Sequence, residues 1–157
     1  MTRPPSAPHW PRLAVMVAAL WWGAITALAF VAVPLLFARL GSPAVAGPVA
    51  AALFQVVCLV TGGACALLLG FYVLFSPPAL DTKAYSALFL LALAAVAAGA
   101  QAGWVASHIV TARASGGNLK LWHSLGSALV LVQWAAAGVS LWWLTRGVLP
   151  VSPRQEH

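Results

Sequence analysis

A chain of 157 residues that is 62% apolar and 6% charged, with a mean hydropathy of +0.94, has too little polar surface to cover a soluble globule. Its net charge of +6 comes from eight basic residues scattered singly over the ends and turns, only Lys83 having a charged neighbour in Asp81. No basic stripe for nucleic acid results. Asp81 and Glu156 are the only carboxylates, so acid–base catalysis and an intramembrane proton relay are poorly supplied.

Residues 1–11 contain four prolines and predict an irregular tail. From Arg12 to Arg39 there are 26 uncharged residues, positions 13–38, against the roughly 20 that a membrane span needs. A helix over 12–38 is expected, retained rather than cleaved because its apolar run exceeds the signal-peptide core of about 7–15 residues. Pro34 predicts a bend near its end. The next uncharged stretch, positions 40–80, holds 41 residues, but Gly41, Ser42, Pro43, Gly47 and Pro48 break its start and Ser76, Pro77 and Pro78 its end. One helix over 44–75 fits. A third helix follows over 84–112, then the turn sequence Ser115-Gly116-Gly117-Asn118, a fourth helix over 120–145, and a tail at 147–157.

These segments are continuously apolar rather than alternating, which disfavours barrel strands. In hydrocarbon each backbone must also satisfy its own hydrogen bonds. Short connections make sequential helices antiparallel neighbours, so the fold class is all-α: an integral membrane four-helix up-down-up-down bundle over residues 12–146. Arg3, Arg12, Lys83, Arg146 and Arg154 fall on one side, and Arg39, Arg113 and Lys120 on the other. Five against three places both termini in the cytoplasm. Small residues recur every four positions at Ala19, Gly23 and Ala27, at Gly62, Ala66 and Gly70, and at Ala95, Gly99 and Gly103. Such lines let helices approach closely, within the bundle or between copies. Cys58 and Cys65 share one face of the second helix, too far apart for an unstrained disulfide.

Polar side chains are costly inside a membrane and mark candidate sites. Arg39, Gln55, Gln101, His108, Arg113, Lys120 and His123 all belong to the half opposite the termini. His108 and His123, on adjacent antiparallel helices at similar depth, form a candidate imidazole pair for haem iron or a metal ion. The plainer reading sets each at the interface, bonded to loop carbonyls or lipid headgroups. Gln55 and Gln101 suit interhelical hydrogen bonds. Ser127, four residues after His123, suits a bond to the helix backbone rather than a nucleophile's role. No catalytic residue is assigned.

Several strings in order carry a family resemblance: Leu20-Trp21-Trp22-Gly23, Phe30-Val31-Ala32-Val33-Pro34-Leu35-Leu36-Phe37, Leu53-Phe54-Gln55, Ala112-Arg113-Ala114-Ser115-Gly116-Gly117-Asn118, and Leu121-Trp122-His123-Ser124-Leu125-Gly126-Ser127. Over Arg12 to Thr145 the chain resembles the bacterial branch of the transmembrane protein 205-like domain family. That resemblance implies a four-helix domain of largely unknown function in the bacterial inner membrane. The family is remotely similar to copper-resistance membrane proteins and to HemJ-type protoporphyrinogen oxidases, which implies haem or copper as cofactor. His123 matches the motif of the fourth helix, whereas His108 matches no part of the pattern. Three functions stay open: a non-enzymatic membrane protein whose outer polar cluster binds a ligand, haem or metal; a homo-oligomer or accessory subunit of a larger membrane complex; and a haem-dependent oxidoreductase. The lipid bilayer is the partner common to all three.

Overall fold

The computed structural model describes residues 9–75 and 82–148. Arg3, Asp81, Arg154 and Glu156, and the side chain of Lys83, lie outside the described residues. Four helices are long and apolar enough to cross a membrane: α1 (Trp10–Leu40), α2 (Pro43–Phe75), α3 (Tyr85–Ser115) and α4 (Leu119–Arg146). No strand occurs among the described residues. At 1.5 Å per residue these helices are about 40–50 Å long, so their ends pass beyond a hydrocarbon core of about 30 Å into the headgroup layer. The protein is an all-α integral membrane bundle.

The turns at the rim away from the termini follow from their residues. Gly41 ends α1 with φ of 63° and Gly116 ends α3 with φ of 75°, a left-handed cap that glycine adopts without steric cost. Pro43 begins α2, where the missing N–H is no loss. Asn118 caps α4, its Oδ1 accepting the Leu121 N–H at 3.0 Å. Two spans are not uniformly α-helical. α1 runs through a π-helical segment at Thr26–Ala32 and α3 through another at Ala100–Val105. The first ends two residues before Pro34, whose ring would meet the carbonyl four residues earlier in a regular α-helix. A locally widened turn relieves that conflict.

The helices close in chain order into a ring, α1 against α2 and α4, and α3 against α2 and α4. The core is built largely from alanine: Ala14 and Ala18 on α1, Ala46, Ala50 and Ala64 on α2, Ala94, Ala97 and Ala98 on α3, and Ala136 and Ala137 on α4. Trp21, Ile25 and Val57 supply bulk. The small-residue lines expected at helix contacts instead point outward. Gly23, Gly62, Gly99 and Gly103 have nothing within 4 Å of where a Cβ would stand. Their partners Ala19, Ala27, Ala66 and Ala95 are exposed, and only Gly70 is half-buried. Alanine-rich helices carry small residues on several faces, so spacing alone does not select the inward one.

Among the described residues, a polar contact fastens each seam of the ring. Trp21 Nε1 donates to Thr61 Oγ1 at 3.1 Å between α1 and α2. Cys65 Sγ donates to the Leu91 carbonyl at 3.5 Å between α2 and α3. Gln133 Nε2 donates to Gln101 Oε1 at 2.7 Å between α3 and α4. Trp134 Nε1 donates to Thr26 Oγ1 at 3.0 Å between α4 and α1, while Thr26 donates to the Trp22 carbonyl at 2.7 Å. Water is absent from hydrocarbon, so such bonds help set which helices pair and in what register.

Candidate functional site

The residues singled out in the sequence take separate partners. Gln101 is buried on α3 and committed to Gln133, whereas Gln55 is exposed on α2. Arg39 and Lys120 are exposed at helix ends. Arg113 lies against α2: a Cβ added at Gly47 would meet its Nη2 at 2.8 Å.

His108 joins two tryptophans. Its ring lies against Trp122, tilted by 32° at 4.1 Å between centroids, with the edge-on Trp104 ring 5.4 Å away. Its Nδ1 is 2.8 Å from the Trp104 carbonyl. A carbonyl can only accept, so Nδ1 carries the proton and Nε2 is the ring nitrogen outside this bond. His123 is exposed, and its backbone carbonyl accepts the Ser127 hydroxyl at 3.0 Å. That is the local bond expected of Ser127. Among the described residues no group of three or more His, Cys, Asp or Glu is placed to hold a metal ion. The donor set therefore does not fit a closed protein-held metal site. For haem, His108 is engaged by two indoles and His123 has no described enclosure.

A concavity lies at the other rim, near Trp10 and Arg146. All four helices contribute to a cavity of about 670 Å³: Trp10 and Ala14 from α1, Leu68, Phe71 and Tyr72 from α2, Ser86, Ala87, Leu88 and Leu91 from α3, and Ser140, Trp143, Leu144 and Arg146 from α4. Trp10 stacks on Phe75 at 5.7 Å with 10° between planes, bracing α1 against α2 at the mouth. The Cys65 to Leu91 bond lies at the inner end, since Leu91 also lines the cavity. Arg146 sits at the lip, its guanidinium 4.6 Å from the centroid of the Trp142 ring.

The polar side-chain groups of the described lining are the hydroxyls of Tyr72, Ser86 and Ser140, the indole N–H groups of Trp10 and Trp143 and the guanidinium of Arg146. A mostly apolar concavity with a few polar groups is the usual form of a small-molecule site.

Sequence reasoning did not single out Gln133 or the cavity. Gln133 could have been found, because it is the only amide, imidazole or charged side chain between His123 and Arg146. It lies at mid-depth, away from the polar residues of the outer half. The cavity has no local signature.

A family model described as a domain of unknown function (DUF4149) matches residues 16–118. It takes in most of α1, α2, α3 and the turn after α3, and stops before α4, so the string containing His123 lies outside the match. No curated protein and no solved structure matches the chain.

Proposed function

The chain belongs to the DUF4149 family, whose function is unknown, and on that premise we propose that it is a non-enzymatic multi-pass membrane protein that holds an apolar or amphiphilic membrane constituent in its terminal-rim cavity. The observation that carries this reading is the opening of about 670 Å³ shared by all four helices, within the range of about 300–1,000 Å³ typical of ligand pockets. Its walls match an alkyl chain, and its mouth lies where the headgroup layer begins. We assign that rim to the cytoplasmic side of a bacterial inner membrane on the distribution of Lys and Arg. The test is a photoreactive alkyl probe added to the protein in lipid bilayers. Crosslinks concentrated on Leu68, Phe71, Leu91 and Leu144 are expected; crosslinks spread evenly over outward residues such as Leu59 and Val96 would overturn the reading.

Haem or copper at the outer rim has less geometric support, because His123 is exposed and the histidines have separate surroundings. Association with a second copy or a larger membrane complex is supported by the outward glycines, which leave room for another helix backbone. Retention of a stoichiometric partner or second copy in mild detergent, lost on Gly62→Leu, is the outcome this second reading requires.

A further inference from the structure

We propose that the cavity's ligand is a single-chain amphiphile with an anionic oxygen head, bound head-outward at Arg146 with its alkyl chain directed toward the bilayer centre. This rests on the reading above, that the cavity holds a membrane constituent, and adds the charge and orientation of that molecule.

Charge is the first argument. Arg146 is the only charged residue among those described around the cavity. At the mouth a cation favours an anion over a second cation, the attraction being moderated by the exposure of Arg146. The state of the guanidinium is the second argument. Its Cζ lies over the Trp142 ring, 4.6 Å from the centroid, a cation–π contact that holds the charge at the lip. The N–H donors of a guanidinium lie in its plane, where a carboxylate or phosphate can accept two of them side by side.

Depth supplies the orientation. Ser140 also lines the cavity, six residues before Arg146 on α4, or about 9 Å deeper at 1.5 Å per residue. The inner walls are formed by Leu68, Leu91 and Ala14, while Arg146 and Trp143 are near the mouth. A molecule with its charge at the mouth and its chain inward has the same polarity as lipids of that leaflet and can enter without turning over. The volume suits one chain with a compact head, since pockets of this size enclose drug-sized ligands and a two-chain phospholipid is larger.

The test is equilibrium binding of four probes of equal chain length to the purified full-length protein in nanodiscs: palmitate, hexadecyl phosphate, methyl palmitate and hexadecyltrimethylammonium. The account expects one or both anions to bind at least ~10-fold more tightly than the ester and the ammonium, as a charge-assisted pair should. The stronger anion identifies the head as carboxylate or phosphate. Arg146→Gln should bring the anions down to the level of the ester, and Arg146→Lys should recover part of the loss. Arg146 is exposed, so neither change disturbs the core. Equal binding of all four probes, insensitive to Arg146→Gln, would overturn the headgroup assignment while leaving the cavity reading intact. Binding of none, or binding unaltered by filling the cavity through Ala87→Trp, would overturn both.

Discussion

Gln133 and Gln101 meet across the α3–α4 seam, the Gln133 amide donating to the Gln101 oxygen at 2.7 Å and also to the Leu129 carbonyl at 3.3 Å. Gln133 is fully buried, and its own Oε1 has no hydrogen-bond partner. The bond lies where α3 departs from regular geometry, because Gln101 belongs to the π-helical segment Ala100–Val105. Such segments re-aim side chains, and here the wider turn presents Gln101 to α4. The pair is a buried polar contact in a seam that also holds the aromatic contacts of Trp104 and His108 with Trp122.

Changing one member should therefore cost more than changing both. Gln133→Leu leaves the buried Gln101 oxygen without its donor and should destabilise the bundle by about 1–2 kcal/mol. The double change to leucine should recover much of that loss, since no amide is then unpaired. A double-mutant cycle followed by reversible unfolding in bicelles measures the coupling, expected at about 0.6–1.7 kcal/mol. Strict additivity would show that the hydrogen bond contributes nothing.

Trp21 combines a packing role with a polar one. It is 1% exposed and donates to Thr61, which is 0% exposed. Trp21→Phe should cost about 0.5–1.5 kcal/mol, close to the worth of one hydrogen bond. Trp21→Ala should cost about 3–5 kcal/mol because it opens a cavity between α1 and α2. Similar losses for the two changes, read from the same unfolding equilibrium, would mean that the indole N–H rather than the ring carries the contact.

The turn after α3 depends on glycine at two positions for different reasons. Gly116 has φ of 75°, so Gly116→Val should cost about 1–2 kcal/mol in strain. A Cβ at Gly117 would stand 3.2 Å from the Ala112 Cα, while the Gly117 N–H donates to the Ala112 carbonyl at 2.9 Å. Gly117→Val should therefore destabilise as well, through crowding rather than through φ. Protease accessibility of the turn, compared between the two variants and the parent, reads both effects.

The outward glycines should respond differently. Gly62 and Gly99 face open space, so Gly62→Leu and Gly99→Leu should change the stability of the monomer by no more than about 0.5 kcal/mol. A larger loss would return these positions to the bundle interior. Analytical ultracentrifugation alongside unfolding separates an effect on the monomer from one on association.

The contrast between these glycines and the glutamine pair shows what was legible in the residues. The bundle was, because long stretches without charge and turns rich in Gly, Pro and Ser are local properties that a hydrocarbon solvent forces into helices. Which face of each helix turns inward was not. Ala14 and Ala18 are buried whereas Ala19, Gly23 and Ala27 are exposed, yet both groups are small and helically spaced. Gln101 was legible as an interhelical donor or acceptor, but its partner Gln133 lies 32 residues away. The histidines drew attention through their chemistry, and the structure gives His108 an aromatic environment that spacing did not reveal. The cavity is lined by residues from all four helices, among them Trp10, Phe71 and Trp143, which no local stretch of sequence brings together.

Native mass spectrometry of the protein released directly from membranes tests the central claim most directly. The account predicts a bound species of one amphiphile per chain on the parent protein and its loss in Ala87→Trp, where the indole fills the cavity while outward surfaces are unchanged. An identical set of bound lipids on both proteins, or none on the parent, would contradict it.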